Sequence, residues 1–128
     1  MSKKYIITGT LVLVIAIIAA FSFFKSQDSL ENRISDHQYV MTLDEDTYFM
    51  YFNKNNQYYQ ASTEQDLEKI VSDKSNETWN LNDSTITVKY DKILHFKLTG
   101  ITKEGKNLKA FYVASDGEKG SVTLRKLK

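Results

Sequence analysis

Residues Tyr5 to Phe24, YIITGTLVLVIAIIAAFSFF, run for twenty positions without a charge, and no other feature narrows so far what the chain can become. As a helix rising about 1.5 Å per residue the run reaches roughly 30 Å, the thickness of a bilayer's hydrocarbon core. Lys3 and Lys4 precede it, while Lys25 is soon followed by Asp28 and Glu31. The positive-inside rule then predicts residues 1–4 in the cytoplasm and everything after Phe24 outside. The competing expectation is a cleaved secretory signal, with Ala20-Phe21-Ser22 as a weak small-x-small site. Such signals carry a shorter apolar core, about 7 to 15 residues, and here Phe23 and Phe24 continue the run past that point. The expectation is a signal anchor: a single-pass protein of the cell membrane with an extracytoplasmic C-terminal domain.

Polar residues 25–36 (KSQDSLENRISD) read as a juxtamembrane stalk, which leaves residues 37–128, enough for one small domain. The chain has no Cys, so disulfides, thiol nucleophiles and thiolate metal sites are excluded and stability must come from packing. Gln38–Leu43 and Thr47–Asn53 are rich in aromatic and β-branched residues and are separated by the acidic triplet Asp44-Glu45-Asp46. Every residue from Tyr48 to Phe52 is apolar, which predicts a strand covered on both faces. Gln57–Ala61 follows as a third strand. A helix is expected at Thr63–Ser72, capped by Ser62 or Thr63, with Leu67, Ile70 and Val71 facing a sheet. Beyond it, Trp79 and Leu81 alternate in a short strand. Ile86, Val88 and Tyr90 alternate with polar neighbours, as do Leu94, Phe96 and Leu98. Leu108–Ala114 and Val122–Leu127 flank an Asp116-Gly117 hairpin turn. The predicted fold is mainly β (α+β), an antiparallel sandwich or barrel of about seven strands with one packed helix.

Chemistry-bearing motifs are sparse. Asp44, Glu45 and Asp46 lack the spaced ligands, Gly and terminal Glu of a calcium loop, and His37 and His95 lack helical zinc spacing, so neither a metal nor a cofactor is expected. His95 is expected on the polar face of its strand beside Lys97 and Thr99. There is no nucleophile elbow and no catalytic residue to name. Two groups remain as candidate binding residues. Tyr48, Tyr51, Tyr58 and Tyr59 belong to an aromatic cluster on three consecutive strands, suited to contact carbohydrate, peptide or headgroups, although core and rim packing of a small β-domain is the favoured reading for the cluster as a whole. The second group follows from charge: Asp28–Asp91 holds 5 basic and 13 acidic residues, net −8, whereas Lys92–Lys128 holds 9 basic and 3 acidic, net +6. If Lys97, Lys103, Lys106, Lys109, Arg125 and Lys126 gather on the last hairpins, they form a basic patch for anionic lipid, wall polymer or an envelope protein. If the two halves lie side by side, the asymmetry is internal compensation. Nucleic acid is not an expected partner outside the cytoplasm.

The MSKK start, the Cys-free anchor and the Lys/Asn/Tyr-rich β-domain resemble the small signal-anchored envelope proteins of low-GC Gram-positive bacteria. The resemblance is one of layout and composition, and it implies bacterial origin without assigning a site. The function expected is that of a membrane-tethered extracytoplasmic binding or interaction module. An envelope enzyme acting on wall polymer or lipid, and a lipocalin-like carrier of an apolar ligand, are the alternatives.

Overall fold

The structure is a computed structural model that describes residues 29–128. The expected anchor at Tyr5–Phe24, the cytoplasmic residues 1–4 and the first part of the stalk lie outside the described residues. Among the described residues no helix is long and apolar enough to cross a membrane.

Eight antiparallel strands follow one another around a closed barrel: β1 (His37–Leu43), β2 (Asp46–Phe52), β3 (Gln57–Ala61), β4 (Glu77–Asn82), β5 (Thr85–Tyr90), β6 (Ile93–Glu104), β7 (Asn107–Ala114) and β8 (Lys119–Lys126). The expected β class holds, as a barrel rather than a sandwich and with eight strands rather than about seven. Closure comes from β8 returning to β1, pairing Tyr39 with Lys126 and Met41 with Leu124, which leaves neither terminal strand as a free edge. Two short helices accompany the barrel, α1 (Leu30–Ile34) and α2 (Glu64–Ile70). The compact unit begins at Ile34, inside the segment read as stalk. Ile34 is fully buried, and the Asp36 amide donates to the Phe52 carbonyl at 2.6 Å.

Tight turns let each strand pair with the next. Tyr90 faces Ile93 across Asp91-Lys92, both with positive φ (47° and 72°), the signature of a type I′ turn that matches strand twist. Because neighbours are antiparallel, one barrel end collects the start of β1, the end of β8 and the β2–β3, β4–β5 and β6–β7 turns. The other end, the mouth, collects the acidic β1–β2 turn and the β5–β6 and β7–β8 turns.

Alternation fills the interior. Tyr39, Met50, Phe52, Tyr58, Ile86, Val88, Leu98 and Leu108 are all completely buried. Ring contacts run across the barrel, Phe52 to Tyr58 at 5.3 Å, Tyr58 to Phe96 at 5.5 Å and Phe96 to Tyr112 at 5.2 Å, with Trp79 set edge-on to Phe52 at 5.6 Å. Polar tips of these rings are satisfied: Trp79 Nε1 donates to the Asn53 carbonyl at 2.8 Å and the Tyr58 hydroxyl to Gln60 Oε1 at 2.7 Å.

The helix is where it was expected, but it docks through fewer residues. Thr63 caps α2, its side chain accepting from the Asp66 amide, and Leu67 is fully buried. Ile70 is 36% exposed and Val71 only half-buried, so the apolar stripe is one residue wide at its centre. The reason is length: α2 ends at Ile70, and its two turns present a single full contact to β2 and β3. Nor is β2 covered on both faces. Met50 and Phe52 point inward and are buried, while Phe49 and Tyr51 point outward and are half-covered.

Candidate functional site

The aromatic candidates are divided by the barrel wall. Tyr48 and Tyr58 share the inward face with Met50 and Phe52, whereas Tyr51 and Tyr59 pair across β2 and β3 on the outside, their rings stacked at 5.9 Å. Tyr58 is fully buried, which holds its hydroxyl well above the usual tyrosine pKa. Tyr59 is 5% exposed, with its hydroxyl donated to the Asp73 carbonyl of the segment after α2. Tyr51 is half-buried and donates to Asp36; burial first, and that hydrogen bond second, push it up to about 12. Protein therefore covers most of this cluster.

At the mouth, turns bring carboxylates together. The Glu118 carboxyl is raised by desolvation first and then by Asp116, Asp44 and Asp46, and burial with Glu118 nearby pushes Tyr112 up to about 12. No group of three or more His or acidic residues among the described residues could hold a metal ion. His95 corrects the expectation that it shares a polar face with Lys97. The β5–β6 register shifts between Val88 and Lys89, pairing them with Phe96 and Leu94 and leaving His95 as the extra residue of a bulge. Its Nδ1 lies 2.6 Å from Glu77 Oε2, on the face that Glu77 shares with buried Trp79. The pair ties β4 to β6 across β5. Strict period-2 reading of β6 could not have found it, because the bulge breaks the period.

The basic candidates fare differently, because β6, β7 and β8 turn their cations to one outer face. Cross-strand register sets the rows: Lys97, Val113 and Lys119 form one, Thr99, Phe111 and Ser121 the next, and Thr102, Lys109 and Thr123 a third. Arg125 follows on β8 opposite Val40 of β1. Each strand buries the intervening residues Phe96 and Leu98, Leu108 and Tyr112, or Val122 and Leu124, so the outward assignment of the cations is fixed by the core. Lys97 and Lys109 sit at opposite ends of this face, about 13 Å apart by strand rise along β7. Lys106, in the β6–β7 turn, and Lys126, whose amide donates to Asn107 Oδ1 at 3.1 Å, lie instead at the end where β1 starts. Lys103 stands beside that turn, opposite Leu108.

Between the cations the surface is hollow. Ser121 and Thr123 are short side chains flanked by Phe111 and Lys109 on β7 and by Val40 on β1. Two hollows, of about 510 and 380 Å³, meet on β8 and share Ser121, Val122 and Thr123. A second bulge in β6, at Gly100 with φ 59° and no atom near its missing Cβ, deepens one edge. Lys109 pairs with Glu104 at 2.9 Å, both more than half exposed. Such pairs are worth at most about 1 kcal/mol, so the ammonium stays available. Arg125 has no carboxylate partner in an ion pair among the described residues.

Lys119, Phe111, Ser121 and Thr123 were not singled out from sequence. The signal was present in the last strand, where Lys119, Ser121, Thr123 and Arg125 alternate with Gly120, Val122 and Leu124. Starting that strand at Val122 hid half of the stripe. No protein-family model, curated protein or solved structure matches the chain.

Proposed function

We propose that the chain is a membrane-tethered extracytoplasmic binding module, held by Tyr5–Phe24 and engaging an anionic envelope partner through the outer face of β6–β8. The observation that carries this reading is the row register that puts Lys97, Lys109, Lys119 and Arg125, all exposed among the described residues, on one outer face, separated by hydroxyls and one exposed ring. The carrier alternative is disfavoured by the rings packed through the interior at 5.2–5.6 Å. An envelope enzyme has one observation in its favour, the carboxylate-oriented imidazole of His95, since a carboxylate on Nδ1 leaves Nε2 as the reactive nitrogen.

Two measurements test the proposal. Protease added to intact cells should digest the 34–128 domain while sparing the anchor; full protection would contradict the topology. The full chain, reconstituted in neutral-lipid discs, should bind purified wall polymer or anionic vesicles at low salt and lose much of that binding at physiological salt. A variant with Lys97, Lys109, Lys119 and Arg125 all replaced by Gln should bind neither. Binding equal to the parent would remove the basic face from the account.

A further inference from the structure

The two hollows run along β8 as a trough with a distinct chemical order. On the outward side of this strand come Lys119, Ser121, Thr123 and Arg125, a cation at each end and two hydroxyls between. Six steps of strand separate the cations, about 20 Å by strand rise. One wall carries Phe111, 40% exposed, and Lys109; the other carries Val40, with the Thr42 hydroxyl. The cations and hydroxyls follow one strand in a single line, an order that an extended chain laid along it can match group for group. Hydroxyls on the floor offer hydrogen bonds in both directions, which suits a ligand that is itself hydroxylated. The exposed Phe111 ring on the wall offers an apolar surface for the C–H side of a sugar, and the cations require negative charge.

We infer that the trough along β8 binds an extended anionic glycan, a sugar chain carrying acidic groups, laid parallel to the strand. Lys119 and Arg125 hold acidic groups near its two ends, Lys109 holds one between them, Ser121 and Thr123 bond sugar hydroxyls, and Phe111 stacks on a sugar face. This rests on the reading of β6–β8 as the binding face and adds the ligand's class and direction. Anionic lipid would use the charges but not the floor.

The test uses the full chain in neutral-lipid discs and three probes: hexagalacturonate, the neutral chain maltohexaose, and vesicles of anionic phospholipid. Binding is read by calorimetry at low and at physiological salt. The expected result is binding of hexagalacturonate at least tenfold tighter than maltohexaose, and a loss of at least tenfold in Ser121→Phe and Thr123→Tyr, which fill the trough without removing a cation. Both positions are exposed, and unchanged melting of either variant shows that the barrel is intact. Gln at Lys106 and Lys126 should leave hexagalacturonate binding within about twofold. Undiminished binding by both trough-filling variants, or equal binding of the two hexasaccharides, overturns the inference. If hexagalacturonate fails to bind while anionic vesicles bind and Gln at Lys109 and Arg125 abolishes it, the glycan assignment falls and the basic face stands. If neither probe binds, both fall.

Discussion

The outer surfaces of β2–β3 and of β6–β8 belong to one barrel and are built on the same alternation, yet among the described residues one is roofed by α2 and the other is left exposed. On β2–β3 the outward residues are aromatic, and α2, with the segment that follows it, is laid over them: Tyr59 is 5% exposed and Leu67 is fully buried. On β6–β8 the outward rows are mostly Lys, Thr, Ser and Arg, with half-buried Val113 and Phe111, at 40% exposure, among them. Outward apolar surface in a small barrel must be covered by its own chain or by something else, because leaving it wet forgoes about 25 cal/mol per Å². Outward cations and hydroxyls carry no such demand. The exposed face is therefore not a packing failure.

The comparison can be broken first from the inside, since both faces depend on the shared core. Phe96 touches Tyr58 and Tyr112 and is 1% exposed, so Phe96→Ala should cost about 3–5 kcal/mol, read by urea denaturation. A smaller loss would mean that the ring chain does not hold the barrel. On the roofed face, Leu67→Ala should cost about 2–5 kcal/mol, because that side chain carries the docking of α2. Ile70→Ala should cost less, about 1 kcal/mol, since Ile70 is 36% exposed where Leu67 is fully buried. Equal losses would restore the wider apolar stripe that the sequence suggested. On the bare face, Lys109→Gln and Arg125→Gln should each leave stability within about 0.5 kcal/mol while altering binding.

The mouth sharpens the contrast through pH. The Glu118 carboxyl is raised in the folded state by desolvation and by Asp116, Asp44 and Asp46, so the folded chain holds this proton more tightly than the unfolded one. Stability from this group is fullest below the ordinary carboxylate range and is lost as pH rises through the raised value. Glu118→Gln should then melt higher than the parent at pH 7, the difference disappearing on acidification. A variant that melts lower at pH 7 would show that the acidic turns are held together by some other contact. Smaller still is Lys92→Gly: Lys92 sits at φ 72° in the β5–β6 turn, where Gly carries no Cβ penalty, and a slight gain in melting temperature is expected.

Legibility in the sequence followed regular alternation and ended where it broke. Ile86 and Val88 could be assigned to the core because period two holds through most of β5, while Tyr90, next in the same alternation, is 53% exposed at the turn into β6. The cap of α2 was readable because Thr63 and Asp66 stand three apart, while its docking was not, because helix length decided it. Barrel closure could not be read: the Tyr39–Lys126 and Met41–Leu124 pairs join the two ends of the domain, and no local pattern marks them. The half-chain charge asymmetry pointed to basic residues late in the chain. It could not tell that Lys97, Lys109 and Arg125 would share a face with Lys119 while Lys106 and Lys126 would gather at the barrel end. Register supplied that division, and the bulge at His95 likewise changed a side chain's face without any change in composition.

The central claim is that the β6–β8 face, and not the roofed face or the mouth, meets the partner. The most direct measurement is amide chemical-shift mapping of the isotopically labelled full chain in neutral-lipid discs, titrated with hexagalacturonate. The account predicts shifts confined to Lys97, Thr99, Lys109, Phe111, Ser121, Thr123 and Arg125 and their immediate neighbours, with Tyr51, Tyr59 and Leu67 unmoved. Shifts centred on Asp44, Asp116 and Glu118, or on the Tyr51–Tyr59 pair, would contradict it.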